Sequence, residues 1–71
     1  PNFSPAYLNL GDIHYKKGLY EEAIVYYKKM IEIDPVNLGA YKKIMIIYRD
    51  YLGEEQKAND YLEEYKRRRS N

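Results

Sequence analysis

Apolar residues recur along this chain at the spacing of amphipathic helices, and the spacing predicts four helices and no strand. The first stripe runs from Tyr7 to His14 at i, i+3, i+4 and i+7, which is one face of a helix. Gly18 ends this stripe, and Pro35 stops the next one because the residue before a proline is pushed out of the helical region. The predicted helices span about residues 5–17, 20–34, 38–51 and 54–69.

The second half of the chain repeats the first half with one extra residue. The stripe of the first helix returns 34 residues later, and the stripe of the second helix returns 35 residues later. The matching pairs are Tyr7 and Tyr41, Leu10 and Ile44, His14 and Tyr48, Gly18 and Gly53, Ala23 and Ala58, and Tyr27 and Leu62. Turns tolerate insertions best, so the extra residue is expected at Tyr51-Leu52, just before the turn glycine.

A 34-residue unit with this skeleton resembles the tetratricopeptide repeat, a helix-turn-helix motif. The residues that carry the resemblance in residues 4–37 are Tyr7, Leu10, Gly11, His14, Ala23, Tyr27 and Pro35. Residues 38–71 resemble a degenerate copy, because Met45 replaces a small residue and Ser70 stands where the proline would be. The small residues Gly11 and Ala23 fall where the two helices of the first copy are expected to touch.

The resemblance implies an all-α fold of two antiparallel helix-turn-helix hairpins, stacked as a short right-handed α-solenoid. Residues 1–3 would form an N-terminal extension, 4–37 the first repeat and 38–71 the second repeat, with helix 54–69 capping the C-terminal end. The residues expected to define this fold are Tyr7, Leu10, Gly11, Ala23, Tyr27, Pro35, Tyr41, Ile44, Tyr48, Ala58 and Leu62.

The family usually binds proteins, either in a concave groove lined by the first helix of each repeat or by stacking with other repeats. The resemblance places the groove at Leu8, Asp12, Tyr15, Lys16, Lys42, Lys43, Ile46 and Arg49. An extended or helical peptide with an apolar anchor and some negative charge would suit this set. One subset of the family grips a C-terminal carboxylate with lysine and asparagine, and that clamp is largely absent because the matching positions here are Leu8, Asp12 and Lys43.

Two repeats fall short of the ~three that a free-standing array usually needs. The chain is therefore expected to be the C-terminal portion of a larger array, because its N-terminal edge around Tyr7 and Leu10 meets no preceding repeat. Self-association is the second expectation, and sealing of the end by the last helix is the third. The alternative function is accordingly a homo-oligomerisation or structural unit with no peptide ligand.

The balance of charge argues against a dedicated polyanion-binding domain. Lys and Arg number 12 against 11 Asp and Glu, which gives a formal net charge of +1. The one run of like charge, Lys66 to Arg69, is expected to complement the carbonyl groups at a helix C-terminus. Its alternative is a patch for acidic protein, RNA or phospholipid head groups, with strong salt dependence. A protein or peptide is the expected partner, ahead of nucleic acid.

Candidate catalytic and metal-binding groups do not assemble in this sequence. There is no cysteine, and the single histidine, His14, is expected at a packing position. Adjacent carboxylates such as Glu21 and Glu22 diverge by about 100° on a helix and do not converge on a substrate. We therefore expect no enzymatic activity, no cofactor and no metal. No apolar run approaches the ~20 residues that span a bilayer, and the expected location is the cytoplasm, as an intracellular soluble protein.

Overall fold

The computed structural model describes residues 4–70, and these residues form helices and turns with no strand. The helical elements are α1 (Ser4–Lys16), α2 (Tyr20–Ile33), α3 (Leu38–Ile46), a π-helical turn (Ile47–Tyr51) and α4 (Glu55–Arg69). α1 packs on α2, α3 packs on α4, and α2 also packs on α3, so that the two hairpins lie side by side. The predicted all-α pair of hairpins is confirmed. The predicted extension, residues 1–3, lies outside the described residues.

The turn between α1 and α2 is closed by a glycine in the left-handed conformation. Gly18 has a φ of 81°, which a residue with a Cβ adopts only at a steric cost. Its amide donates to the carbonyl of Tyr15 at 3.0 Å, and the amide of Leu19 donates to the carbonyl of His14 at 2.9 Å. These two bonds form a Schellman motif, which satisfies the last carbonyl groups of α1. The tight turn lets α2 start at Tyr20 and fold back along α1.

The extra residue of the second hairpin lies inside the helix and not in the turn that follows it. The amide of Leu52 donates to the carbonyl of Ile47 at 3.0 Å, five residues back, where an α-helical amide would reach four residues back. The insertion is therefore spread over the π turn, which overlaps the expected position only at Tyr51. A π turn keeps the backbone amides bonded, whereas a looped-out residue would leave some of them without partners.

Beyond the π turn, the second hairpin turns as the first one does. Gly53 has a φ of 65°, and the amide of Glu54 donates to the carbonyl of Tyr48 at 2.8 Å. The corresponding bond from Leu19 spans five residues, and this one spans six, because the π turn adds one residue to the path. Both hairpins thus turn at a glycine in the left-handed conformation, and in both the amide that follows this glycine bonds back to the preceding helix.

The core lies where α2 meets the second hairpin. Its largest fully buried side chains are Tyr27, Met30, Ile44 and Ile47. α1 joins this core through Gly11, because a Cβ built on that glycine would stand only 2.5 Å from Cε1 of Tyr27. The glycine thus makes room for an aromatic ring of α2, and Ala23 is buried in the cluster that α2 forms with the second hairpin.

The residues expected to define the fold differ in burial according to what covers them. Most of the set is buried, namely Gly11, Ala23, Tyr27, Tyr41, Ile44, Tyr48 and Ala58. Tyr7 and Leu62 are half-buried, whereas Leu10 and Pro35 are exposed. α3 is covered closely by both α2 and α4, whereas α1 has close backbone packing only against α2, and this difference accounts for the exposure of Leu10.

Candidate functional site

The residues predicted to line the groove come from α1, α3 and the π turn, and we refer to the surface that they form as the α1–α3 face. Its members are Leu8, Asp12, Tyr15, Lys16, Lys42, Lys43, Ile46 and Arg49. Leu8, Tyr15 and Ile46 are half-buried and pack against the core. The charged members other than Asp12 are exposed. Side chains rather than close backbone packing connect α1 to α3 across this face.

A three-residue network joins α1, α2 and α3 in the middle of this face. The Tyr27 hydroxyl donates a hydrogen bond to the carboxylate of Asp12. Lys43 Nζ lies 3.3 Å from Asp12 Oδ1 and 5.8 Å from the centroid of the Tyr27 ring. Burial raises the pKa of Tyr27 well above its usual value, and the hydrogen bond to Asp12 raises it further. Asp12, which the resemblance placed in the groove, is thus engaged within the chain.

Three tyrosines from different elements close one end of the α1–α3 face, and we call them the tyrosine cluster: Tyr15, Tyr20 and Tyr51. The rings of Tyr20 and Tyr51 stack with their centroids 4.3 Å apart. Tyr15 meets both edge-on, at 5.8 Å and 5.5 Å, and its hydroxyl lies 2.9 Å from that of Tyr51. This hydrogen bond, followed by partial burial, raises the pKa of Tyr15. Such stacked and edge-on pairs are worth about 0.5–1.5 kcal/mol each beyond their burial.

The sequence pattern indicated Tyr15 but not the other two members of the cluster. Tyr51 reaches the cluster from the π turn, which changes the direction of every side chain that follows the extra residue. The available signal was the insertion itself, because an extra residue within a helix is often associated with a functional surface.

A small cavity of about 120 Å³ opens between the network and the tyrosine cluster. It is lined by Tyr15, Tyr27, Lys43, Ile46 and Ile47. An apolar cavity of ~150 Å³ holds a molecule as large as benzene, so this one is suited to a single apolar side chain. Lys43 adds a charged side chain to this otherwise uncharged lining.

The remaining cations of the face divide into paired and unpaired groups. Arg49 donates two hydrogen bonds to the carboxylate of its neighbour Asp50, at 2.8 Å and 3.2 Å. That hydrogen bonding lowers the pKa of Asp50. Within residues 4–70, Lys16 and Lys42 form no ion pair. The positive charge available to a ligand therefore lies at these two lysines.

The basic run at the end of α4 folds back onto its own chain. Arg67 and Arg68 both pair with Glu64, at 2.8 Å and 3.1 Å. The Arg68 guanidinium also lies 5.1 Å from the centroid of the Tyr41 ring and 3.3 Å from the carbonyl of Pro35. These contacts connect the end of α4 to the turn between α2 and α3 and leave less of the run open to an acidic ligand.

A second, larger cleft of about 440 Å³ lies between α2 and α4, away from the α1–α3 face. Tyr41 and Tyr61 contribute its aromatic lining. The other lining residues are Lys28, Ile31, Glu32, Asp60 and Glu64. Its charges are of both signs, and Glu64 is already paired with two arginines, so that the cleft offers no clear charge preference to a ligand.

Comparison with known proteins identifies the class of the first hairpin. Residues 4–37, which are 34 of the 71 residues, match the family model of the tetratricopeptide repeat. The first hairpin is therefore a tetratricopeptide repeat, as its skeleton predicts. Searches of curated proteins and of solved structures each found no match.

The family match gives the general function class. Tetratricopeptide repeats are scaffolds that generally mediate protein–protein interactions, and stacked hairpins of this kind leave an extended surface for that purpose. None of the helices described between residues 4 and 70 combines the length and the apolar character needed to cross a bilayer.

Proposed function

We propose that the chain binds a peptide or protein partner on its α1–α3 face, and that the cavity beside Tyr15 takes one apolar side chain of that partner. The cavity is the observation that carries the proposal, because it is small, largely apolar and bordered by a lysine. One buried apolar anchor often supplies much of the affinity of a peptide interface. Leu8 and Ile46 extend the apolar strip on either side of the anchor.

The charge of the face supports a partner with acidic residues next to the anchor. Lys16 and Lys42 are exposed and unpaired among the described residues, whereas Arg49 is neutralised by Asp50. Acidic side chains of a partner would meet these lysines at the edge of the interface. Such rim charges mainly orient a ligand and speed its association.

The walls of the cavity are held in place before any ligand arrives. Tyr27 and Lys43 are held by Asp12, and Tyr15 is held by Tyr20 and Tyr51. A site that is already ordered loses little side-chain entropy on binding, which favours affinity.

A second part of the proposal concerns the organisation of the chain. We infer that residues 38–70 form a degenerate second repeat, with α4 as its capping helix. The match of apolar positions and the shared glycine turns at Gly18 and Gly53 support this division.

Peptide selection tests the proposed site even though the partner is unidentified. Random peptides displayed on phage would be selected on the full chain, and we expect enriched peptides that share one apolar residue flanked by Asp or Glu. Ile46→Lys, at the cavity, and Lys42→Glu, at an exposed position of the α1–α3 face, should each weaken binding by about tenfold or more. Val25→Lys is the matched control, because Val25 is 51% exposed and lines a different pocket. Equal binding by all variants would contradict the site.

The alternative function is a unit that only oligomerises, with no peptide ligand. The exposed apolar residues Leu10 and Ile13 on α1 favour it. Measurement of mass in solution over a concentration series separates the two functions. A dimer whose interface covers Leu8, Tyr15 and Ile46 would exclude peptide binding at this face, whereas a dimer elsewhere would leave the face open.

RNA binding through the basic end of α4 has less support, since its arginines contact their own chain. Titration of labelled single strands at two salt concentrations tests it. Absence of binding at low salt would exclude it.

A further inference from the structure

Equivalent positions in the two hairpins have very different exposures. Leu10 of α1 is 37% exposed and Ile13 is 47% exposed. Their counterparts 34 residues later, Ile44 and Ile47, are 0% and 1% exposed. The second hairpin is covered on this side by α2, whereas the first hairpin has no helix there among the described residues. The side of α1 that matches a buried side of the second hairpin is therefore open and apolar.

Residues of α2 continue this open surface. The Tyr26 ring lies beside the rings of Tyr7, at 6.5 Å, and His14, at 4.9 Å. Tyr26 therefore marks the side of α2 that adjoins the open side of α1. Helical spacing places Glu22, Lys29 and Ile33 on the same side as Tyr26. We call the combined surface the N-terminal face, and its aliphatic and aromatic members are Tyr7, Leu10, Ile13, His14, Tyr26 and Ile33.

The outer surface of α4 in a second copy of the chain is too polar to cover the N-terminal face in a head-to-tail arrangement. α2 covers α3 partly with Ile24 and Ile31, whose counterparts in α4 are Asn59 and Lys66. Asn59 and Lys66 are exposed and polar. A head-to-tail arrangement would therefore bring polar groups of α4 against the apolar residues of α1, and such groups lose hydration when they are buried without partners.

We propose that a second copy of the chain covers the N-terminal face in a two-fold symmetric dimer, so that the same face is used by both copies. Gly11 contacts the ring of Tyr27, so the middle of α1 and the middle of α2 lie at the same level. A two-fold axis that crosses both helices at that level pairs each helix with its antiparallel copy.

The residues on either side of that axis complement one another. On α1, Leu10 and Ile13 lie at equal distances on opposite sides of the axis. Leu10 of each copy therefore meets Ile13 of the other copy. On α2, Glu22 and Lys29 are related in the same way, so that each carboxylate faces an ammonium group of the second copy. The N-terminal face thus matches itself in both apolar and charged positions, which is the requirement for a symmetric interface.

The dimer leaves the α1–α3 face open in both copies, because the two surfaces are on different residues of α1. Two identical peptide sites would then be linked in one particle. A partner with two copies of the recognised segment would gain affinity from the linkage without any new contact.

The mass of the full chain in solution, measured by sedimentation equilibrium over a broad concentration series, tests the dimer. We expect a reversible monomer–dimer equilibrium. Ile13→Glu should raise the dissociation constant of the dimer by about tenfold or more. Val36→Glu is the matched control, because Val36 is also an exposed apolar residue but lies in the turn between α2 and α3, outside the face. Circular dichroism of each variant establishes that the helices are retained. A wild-type monomer at every concentration, or equal effects of both substitutions, would overturn the proposal.

A charge exchange tests the symmetry of the interface. Glu22→Lys and Lys29→Glu should each weaken the dimer, because each places like charges opposite one another. An equimolar mixture of the two variants should form a heterodimer, in which every changed residue meets an opposite charge. The double variant Glu22→Lys/Lys29→Glu should regain the wild-type dimer. A dimer that survives the single changes, or that is not restored in the mixture, would contradict the two-fold arrangement and would indicate a different occupant of the face.

Discussion

The Tyr27 hydroxyl donates a hydrogen bond to the carboxylate of Asp12, and this bond connects the middle of α2 to the middle of α1. Lys43 of α3 completes the contact from the other hairpin. Two of these three side chains, Tyr27 and Lys43, also line the proposed anchor cavity. Stability and the proposed binding would thus be coupled at this point of the chain.

Removal of the Tyr27 hydroxyl should lower the stability of the fold. Tyr27→Phe keeps the ring against Gly11 but deprives Asp12 of a hydrogen-bond donor. We expect a loss of about 1–2 kcal/mol in the free energy of unfolding, measured by urea denaturation at neutral pH. A loss below about 0.3 kcal/mol would show that Lys43 and water replace the hydroxyl fully.

The raised pKa of Tyr27 predicts a loss of stability in alkali. The unfolded chain releases this proton near the ordinary tyrosine value of 10.0, whereas the folded chain retains it to higher pH. The stabilising contribution of Tyr27 is therefore present in full below the pKa of the unfolded chain. It is lost as the pH rises from there through the pKa of the folded chain. Urea denaturation at a series of alkaline pH values should show that the free energy of unfolding declines with pH, and that this decline is smaller in Tyr27→Phe than in the wild type. The decline should not vanish, because the pKa values of Tyr15 and Tyr61 are also raised. An identical pH dependence in both proteins would contradict this assignment.

The two glycines inside helices should respond in opposite ways to alanine. Gly11→Ala places a Cβ 2.5 Å from the Tyr27 ring, and we expect a loss of about 1–3 kcal/mol despite the better helix propensity of alanine. In Gly39→Ala the new Cβ meets only Oδ1 of the Asn37 side chain, at 3.2 Å, and we expect a gain of about 0.5–1 kcal/mol. Thermal denaturation of the two variants checks both signs. A stable Gly11→Ala protein would show that the ring can move away from α1.

The π turn should be removable without loss of the fold. Deletion of Asp50, an exposed residue of the turn, should let the end of α3 continue as a regular α-helix. Tyr51 would then turn away from Tyr15 and Tyr20. We expect an unchanged far-ultraviolet circular dichroism spectrum and a reduced tyrosine signal in the near-ultraviolet. Deletion of the buried Ile47 is the contrasting change, and it should unfold the chain. An unaltered near-ultraviolet signal in the Asp50 deletion would contradict the role of the π turn in forming the cluster.

The two arginines that share Glu64 should differ in their contribution to stability. Arg68 also contacts the Tyr41 ring and the Pro35 carbonyl, so Arg68→Ala should cost about 1 kcal/mol. Arg67 has only its exposed ion pair with Glu64, and Arg67→Ala should change stability by less than about 0.5 kcal/mol. Urea denaturation of both variants provides the comparison. Equal effects would show that the contacts of Arg68 with the other helices do not stabilise the fold.

The helices and their ends were predictable from local patterns. The apolar spacing from Tyr7 to His14, the turn glycines and the stop at Pro35 each act over a few residues, and residues 4–70 contain four α-helices close to the predicted bounds. The site was predictable only in part. Its residues on α1 and α3 could be named, but the partners of Asp12 and Arg49 could not, because a linear pattern does not show which charges meet after folding.

The position of the extra residue also depended on the folded state. The sequence showed that one residue is added between Tyr48 and Gly53, and the turn was the expected place for it. The structure has it within the helix instead, because the π turn keeps the amides of Leu52 and Glu54 bonded. Tyr51 joins the tyrosine cluster as a result.

The sequence by itself determined the helical periodicity, the glycine turns and the repeat in residues 4–37, since these properties arise from the residues' own spacing and backbone preferences. Only the tertiary structure decided which apolar positions are covered. Leu10 and Ile44 lie 34 residues apart at corresponding positions of the two hairpins, yet one is exposed and the other is buried. The reason is that burial depends on which helices pack alongside. The side of α3 that carries Ile44 is covered by α2 of the preceding hairpin, whereas among the described residues no helix covers the corresponding side of α1.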